Sequence, residues 1–289
     1  MTLRDALLLG RVSNLPTVWT NMLAGMVLAG GMLDTGPALL AAVAFTLFYV
    51  GGMYLNDAFD ADIDAAERPE RPIPSGRVSR QTVYVAGYVM LLFGLALLAY
   101  LASAAGFGWM AVWFGLGLAA AIIAYDAYHK TNPVSPLIMG LCRMLVYLAA
   151  GALVSAAIGA ALWFGALASL AWLIGLTYVA KQENLGAVKN MWPLAFLAAP
   201  VIYGGTAAAA AGWLAFALVV ALAVWALVCL RFVLRRGPGD IPRAVVSLIA
   251  GISLLDAMLI ATTGEATLAF VAVGAFVLTL LLQRVVPGT

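Results

Sequence analysis

Apolar runs of about twenty residues, the length a helix needs to cross a bilayer, recur from one end of the chain to the other. Breaks at Gly, Pro and charged residues mark ten such spans, at 15–33, 37–56, 82–104, 108–126, 136–156, 160–180, 192–210, 212–233, 243–262 and 266–284. The seventh and eighth are parted only by an Ala-rich stretch. Composition agrees: 65% of the residues are hydrophobic and 10% charged, against roughly 45–50% and about 25% in a soluble domain. A soluble fold of 289 residues cannot hide that much apolar surface. The pattern predicts one all-α domain over 1–289, a polytopic transmembrane helical bundle of nine to ten helices with the lipid bilayer as its solvent. The run from Leu15 to Leu33 is long and is soon followed by a second, so it reads as a retained first helix rather than a cleaved leader.

Charge sets the expected orientation. With the N-terminus in the cytosol, fourteen of the fifteen Lys and Arg residues, all but Arg143, fall on cytosolic segments. The outer connections near Asp34, Gly106, Gly159, Ala211 and Glu265 carry none. This positive-inside distribution predicts an integral protein of the cell inner membrane with both termini in the cytosol. A net charge of +2 gives no case for a nucleic-acid partner. Cys142 and Cys229 lie in apolar runs without a CxxC pairing and read as small buried hydrophobes with free thiols. The long polar connections, 57–81 and 181–191, and the shorter 127–135 and 234–242 all fall on the cytosolic side, where the chemistry is therefore expected.

The first of these connections opens on Asn56-Asp57-x-x-Asp60-x-x-x-Asp64. On a continuous helix the three Asp residues, at i, i+3 and i+7, share one face, and like charges so close repel unless a cation joins them. Mg²⁺ suits the set, because it takes oxygen ligands and is usually held by one or two carboxylates together with substrate phosphates. Asn56 adds an amide oxygen, while Asp62 points to another side and reads as solvated. The apolar stretch from Tyr49 to Leu55 sinks the first carboxylates near the membrane boundary, which a merely water-exposed helix end does not require.

Next comes Arg68-Pro69-Glu70-Arg71-Pro72-Ile73-Pro74-Ser75-Gly76. Its prolines exclude a regular helix and set a stiff loop. The loop returns Arg68 and Arg71 toward the metal, where guanidinium groups can bind phosphate oxygens bidentately. Together the two motifs predict a catalytic set of Asp57, Asp60, Asp64, Arg68 and Arg71, with Mg²⁺ held by Asn56, Asp57, Asp60 and Asp64.

At these residues the sequence resembles the UbiA-type family of intramembrane prenyltransferases, whose first signature is an NDxxDxxxD motif followed by a basic RPxPSG loop. Asn56 to Asp64 and Arg68 to Gly76 match it throughout. The resemblance extends to Arg11-x-x-Asn14, to Tyr125–Lys130 and to the Gly-rich fifth span, and covers most of the chain to about residue 190. It implies an all-α bundle of about nine helices around a central cavity, with a lateral opening to lipid. It also implies two Asp-rich motifs on the cytosolic side that bind Mg²⁺ and an isoprenyl diphosphate donor. Ionisation of that donor gives a carbocation that a hydrophobic acceptor, commonly an aromatic ring, attacks. The sequence departs from the pattern where the second acidic motif is due. There it reads Lys181-Gln182-Glu183-Asn184, and a Lys in place of an Asp opposes a second metal while attracting phosphate. One Mg²⁺ site is expected, with Lys181 or Glu183 completing the pocket.

The remaining candidates are substrate-binding. Lys130 and Arg143 flank the entry of the fifth span as further diphosphate ligands, although Arg143 can also be structural. Arg11 and Asn14 enter through the resemblance, Asn14 toward the acceptor pocket or as a helix cap. Tyr147 lies one turn beyond Arg143 and reads as a cavity residue, whereas His129, the single histidine, reads as a surface loop residue. Asp256, solitary within the ninth span, is open to a functional reading. The expected activity is Mg²⁺-dependent transfer of a prenyl group from an isoprenyl diphosphate to an aromatic or other hydrophobic acceptor. A terpenoid cyclase-like or phosphosugar-accepting member of the same fold, or a non-catalytic isoprenoid-lipid binding or transport protein, remains open.

Overall fold

The computed structural model describes residues 1–130, 132–182 and 190–288. These form α1 (Leu3–Leu9), α2 (Leu15–Leu28), α3 (Thr35–Phe59), α4 (Ala61–Glu67), α5 (Arg80–Ala105), α6 (Met110–Tyr128), α7 (Ser135–Ala152), α8 (Ala160–Lys181), α9 (Ala199–Ala211), α10 (Trp213–Arg235), α11 (Asp240–Ala261) and α12 (Ala266–Leu282). Short 3₁₀ turns at Val12–Asn14 and Trp192–Ala198 lead into α2 and α9. Each of the ten predicted spans holds a helix. Among the described residues, eight helical segments are long and apolar enough to cross a membrane, and the α12 segment is shorter but also apolar.

Local chemistry sets where the helices stop. The first span was expected to run to Leu33, but α2 ends at Leu28 because Gly30 turns into the left-handed region at φ 80°. Gly212, at φ 99°, makes the break between α9 and α10 that composition marked only weakly. The seventh span is composite: Pro193 and Pro200 each sit in a first turn, where the missing N–H costs nothing, so a 3₁₀ segment hands over to α9.

Helix α11 is the most enclosed element, with 89% of its spanning window buried. It packs against α2, α8, α10 and α12, while α3 packs against α5 and α6, and α7 joins the two halves through α2, α6 and α8. Beside a small apolar cluster around Leu9, Tyr54 and Val83, the core has two large parts. One gathers around Trp172, Leu222, Leu255 and Met258, the other around Phe45, Phe48, Leu98 and Leu118. Close helix approach rests on small residues. At the α3–α5 crossing a Cβ on Gly87 would lie 2.7 Å from Leu55 Cγ, and one on Gly51 would lie 2.9 Å from the Gly87 carbonyl oxygen. This packing brings the C-terminal ends of α3, α6 and α8 and the N-terminal ends of α2, α7 and α11 to one face, where the polar connections meet.

Candidate active site

A polar cavity of about 440 Å³ opens at this face. Arg11, Asn56, Asp60, Asp64, Glu67, Arg68, Arg71, His129, Lys130 and Lys181 line it, with Met53, Tyr125, Met139 and Val245 among its apolar walls. The chain bends inside the acidic motif. Helix α3 ends at Phe59, Asp60 takes φ −82° and ψ 0°, and α4 starts at Ala61; that backbone region often holds active-site residues. The three carboxylates therefore do not share one helical face as expected. Asp57 faces Arg11 and Arg71, while Asp60 faces the α6–α7 connection. Among the described residues no three acidic, His or Cys side chains converge closely enough to hold a metal by themselves.

Each carboxylate is paired with a cation instead. Arg11 NH2 lies 3.0 Å from Asp57 Oδ1, and Arg71 NH1 bridges Asp57 at 3.4 Å and Asp64 at 2.6 Å. Asp60 Oδ2 receives Lys130 Nζ at 3.2 Å and His129 Nε2 at 3.4 Å. Burial pushes the Asp60 carboxyl up, but the hydrogen bonds and charges of His129 and Lys130 outweigh it and hold Asp60 below the usual carboxylate range. His129 is thus a cavity residue, stacked on the Tyr125 ring at 4.8 Å, and not the surface residue its loop position suggested.

Arg11 reaches Asp57 from a strained backbone, at φ 41° and ψ 47°, which for a non-glycine residue costs roughly 1–2 kcal/mol. Its carbonyl accepts hydrogen bonds from the Asn14 backbone N–H at 3.1 Å and the Tyr49 hydroxyl at 3.4 Å. Asn14 makes no side-chain cap. Its amide donates to the Gly288 carbonyl at 2.9 Å and accepts from Gln283 Nε2 at 3.0 Å, so it ties the C-terminal segment to the start of α2. The Pro-rich loop is anchored similarly: Arg77 Nε donates to Asp5 Oδ1 at 2.8 Å, and Arg80 Nε donates to the Ala58 carbonyl at 2.8 Å. Asp62 is exposed and pairs with Arg80 at 3.0 Å, as its solvated reading anticipated. Arg68 lines the cavity beside Arg71.

Lys181 lies at the end of α8 and spends its ammonium on the α6–α7 connection. It donates to the His129 carbonyl at 3.2 Å, the Asn132 carbonyl at 2.7 Å and Ser135 Oγ at 2.8 Å. It lines the cavity while holding in place the segment that carries His129 and Lys130. Glu183 lies outside the described residues.

Behind the polar cavity an apolar slot of about 80 Å³ runs between α2, α3, α6 and α7, lined by Val18, Phe45, Phe48, Leu118, Ile122 and Val146. Met53, Tyr125 and Met139 line both spaces, so the slot continues the cavity into the bundle. Arg143 reaches the slot wall, 5.8 Å over the Tyr49 ring, and donates to Asn21 Oδ1 at 2.7 Å and Thr17 Oγ1 at 3.1 Å. Asn21 Nδ2 in turn donates to Asp256 at 2.8 Å and 3.0 Å. Asp256, fully buried, also accepts hydrogen bonds from Thr20 and from the Tyr147 hydroxyl. Tyr147 therefore belongs to a core polar network and does not line the slot.

One acidic residue went unnoticed in the sequence. Asp126, 5% exposed near the end of α6, lines the slot and accepts a hydrogen bond from Asn56 Nδ2 at 3.2 Å. An acid inside an apolar span was the available signal.

Residues 17–249 match the UbiA prenyltransferase family. A 77-residue stretch is 46% identical to the digeranylgeranylglyceryl phosphate synthase of Methanopyrus kandleri and covers 27% of this chain and 28% of that relative. The fold is similar to that of a UbiA homologue from Aeropyrum pernix K1, with a TM-score of 0.68 and 19% identity over 86% of this chain and 96% of the other. It also resembles a UbiA homologue from Archaeoglobus fulgidus bound to GPP and Mg²⁺, with a TM-score of 0.56 and 14% identity over 91% and 99% of the two chains. The family match extends over most of the chain, and the motifs and the helical bundle agree with it: the chain belongs to the UbiA prenyltransferase family.

Proposed function

We propose that this integral membrane protein transfers a prenyl group from an isoprenyl diphosphate to an acceptor, with Mg²⁺ bound at the acidic motif. The observation that carries the reading is the continuity of the two spaces. A cation-rich polar cavity suits a diphosphate, and it leads through Met53, Tyr125 and Met139 into an apolar slot that suits the first carbons of an isoprenoid tail.

The donor set fits Mg²⁺. Asn56, Asp57, Asp60 and Asp64 are hard-oxygen side chains between 3% and 7% exposed, and three of them line the cavity. The present partners of the three carboxylates are flexible side-chain cations, so exchange of those partners needs only rotamer changes. Bound there, Mg²⁺ would neutralise the diphosphate as it departs. Arg71, Lys130 and His129 would turn from the carboxylates to the phosphate oxygens and stabilise the charge that develops on the leaving group. Arg11 would hold Asp57 in place. Lys181 would hold the segment that carries His129 and Lys130. The apolar slot would keep water from the allylic carbon.

The names of the relatives favour an acceptor of the prenylated glyceryl phosphate type over the aromatic ring expected from the family resemblance. The aligned stretches cover about a quarter of those relatives, so this choice rests on experiment. The positive-inside distribution supports a site on the cytosolic side of the cell membrane. Radiolabelled geranylgeranyl diphosphate, incubated with the detergent-solubilised protein and either geranylgeranylglyceryl phosphate or 4-hydroxybenzoate, should label the first acceptor in a Mg²⁺-dependent way. Label on the aromatic acceptor alone would reverse the acceptor assignment. Label on neither, with no release of pyrophosphate, would refute the transferase.

A further inference from the structure

Arg11 combines a strained backbone with an exacting position. Its NH2 donates to Asn56 Oδ1 at 3.3 Å and to Asp57 Oδ1 at 3.0 Å, while its φ of 41° lies in the left-handed region. Such a backbone persists at a non-glycine residue only where the surroundings over-determine it. Part of the constraint is local, because the Asn14 N–H closes the Val12–Asn14 turn on the Arg11 carbonyl. A 3₁₀ turn has poorer hydrogen-bond geometry than an α-helix and holds weakly by itself. The rest of the constraint comes from the far end of the chain. Asn14 is buried, and its side chain is held between two groups that follow α12. Its Nδ2 donates to the Gly288 carbonyl at 2.9 Å, and its Oδ1 accepts from Gln283 Nε2 at 3.0 Å. The Gly288 carbonyl can only accept, so the amide has one orientation, with its oxygen toward Gln283. Gln283 Nε2 also donates to the Val246 carbonyl of α11 at 3.2 Å, beside Val245 of the polar cavity wall. A Cβ on Gly288 would lie 2.9 Å from Asn14 Oδ1 and 3.3 Å from Gln283 Nε2, so this segment sits directly on the pair.

We propose that Gln283 is a positioning residue for the diphosphate site: it locks the Asn14 amide, the lock holds the turn at Val12–Asn14, and the turn presents Arg11 to Asn56 and Asp57. The proposal rests on the transferase reading for what the site binds and goes beyond it in giving the last helix a part in the site. Gln283 lies outside the acidic and basic motifs and beyond residue 249, where the family match ends. Without the lock Arg11 is free to relax from its left-handed backbone. Asp57 then keeps only the longer contact to Arg71, at 3.4 Å, and the first ligand of the acidic motif loses its fixed position.

The test uses the full chain in detergent and two substitutions. Gln283→Met keeps the length of the side chain and removes its donors, and Gln283→Glu keeps its shape but sets an oxygen against Asn14 Oδ1. Two readouts are taken on each. Amide hydrogen exchange of the segment around residues 11–14, measured without substrate, should be faster in both variants than in the native protein. The KM for geranylgeranyl diphosphate with Mg²⁺ should rise about three- to tenfold, the range of one neutral hydrogen bond, with a smaller change in kcat. A double-mutant cycle then asks whether the effect passes through Arg11. In an Arg11→Gln background, Gln283→Met should add little or nothing to KM, because the group it positions is gone. Unchanged exchange around residues 11–14 in both variants would overturn the proposal. So would an unchanged KM, or a rise in KM that is just as large in the Arg11→Gln background, even if thermal stability fell, since that is the pattern of a residue that only fastens helix ends. Absence of donor turnover in the native protein would refute the transferase reading instead, and the exchange comparison, which needs no substrate, would still decide whether Gln283 holds the turn.

Discussion

Arg71 NH1 lies 2.6 Å from Asp64 Oδ2, and the same nitrogen reaches Asp57 Oδ1 at 3.4 Å. One guanidinium thus bridges the first and last carboxylates of the acidic motif across the bend at Asp60, and it lines the cavity while doing so. The Pro-rich loop gives the bridge its geometry, because the loop is anchored at Arg77 and Arg80 and delivers Arg71 without using it as an anchor.

Arg71 therefore has two successive partners, carboxylates in the free protein and phosphate oxygens with the donor bound. Arg71→Gln should lower kcat/KM for the isoprenyl diphosphate about ten- to hundredfold, the scale of a charged hydrogen bond of about 1.5–3 kcal/mol. Arg71→Lys should recover only part of this, since a point charge cannot replace a planar fork. Steady-state kinetics on both variants check the ordering, and equal activity of the Lys variant and the native protein would contradict it.

Lys181 should behave as a positioning residue. Lys181→Met keeps the length of the side chain and removes its three hydrogen bonds to the α6–α7 connection. A rise in KM for the donor with a smaller change in kcat is expected, together with a fall in stability of about 1–3 kcal/mol. If the ammonium instead bound phosphate directly, Lys181→Arg would restore donor affinity, whereas the tight three-oxygen pocket described here should reject the larger fork.

Asp256 anchors the core network of α2, α7 and α11. Asp256→Ala leaves Arg143 and Asn21 without the carboxylate that orients them, and uncompensated buried charge costs about 3–5 kcal/mol. The variant should lose several degrees of thermal stability in detergent. Asp256→Asn, which retains one oxygen and so keeps the bond from either Thr20 or Tyr147 but not both, should lose less. A fully stable alanine variant would show that the network is dispensable.

The Asp5–Arg77 pair gives a pH dependence of defined sign. Hydrogen bonds from Thr2 and from Arg77 lower the Asp5 carboxyl from 3.8 to about 2. A lowered carboxylate contributes stability above its unfolded value and loses it as pH falls through the folded value. The difference in thermal midpoint between the native protein and Asp5→Asn should therefore be constant above about pH 4 and shrink between about pH 4 and pH 2. A difference that holds steady down to pH 2 would contradict the assignment.

The bundle was legible in the sequence because apolar run length and charge placement are one-dimensional signals. All ten spans have their helices, and errors of a few residues arose where Gly30 ended α2 early. The acidic motif and its basic loop were legible for the same reason, being contiguous. The distribution of the carboxylates was not, because i, i+3, i+7 spacing describes one face only on an unbroken helix, and α3 breaks at Asp60. The cavity position of His129 is not legible in its loop, because Asp60, its partner, is far away in sequence. The anchoring of Lys181 is not legible either, because the three oxygens it binds come from another connection.

The central claim is that the cavity at the end of α3 binds an isoprenyl diphosphate together with Mg²⁺. Calorimetric titration of the detergent-solubilised protein with an unreactive thio analogue of geranylgeranyl diphosphate, with and without Mg²⁺, tests it directly in the native protein and in Asp60→Ala. The account predicts binding that depends on Mg²⁺ in the native protein and is lost in the variant. Binding of equal strength with and without the metal, or in both proteins, would contradict it.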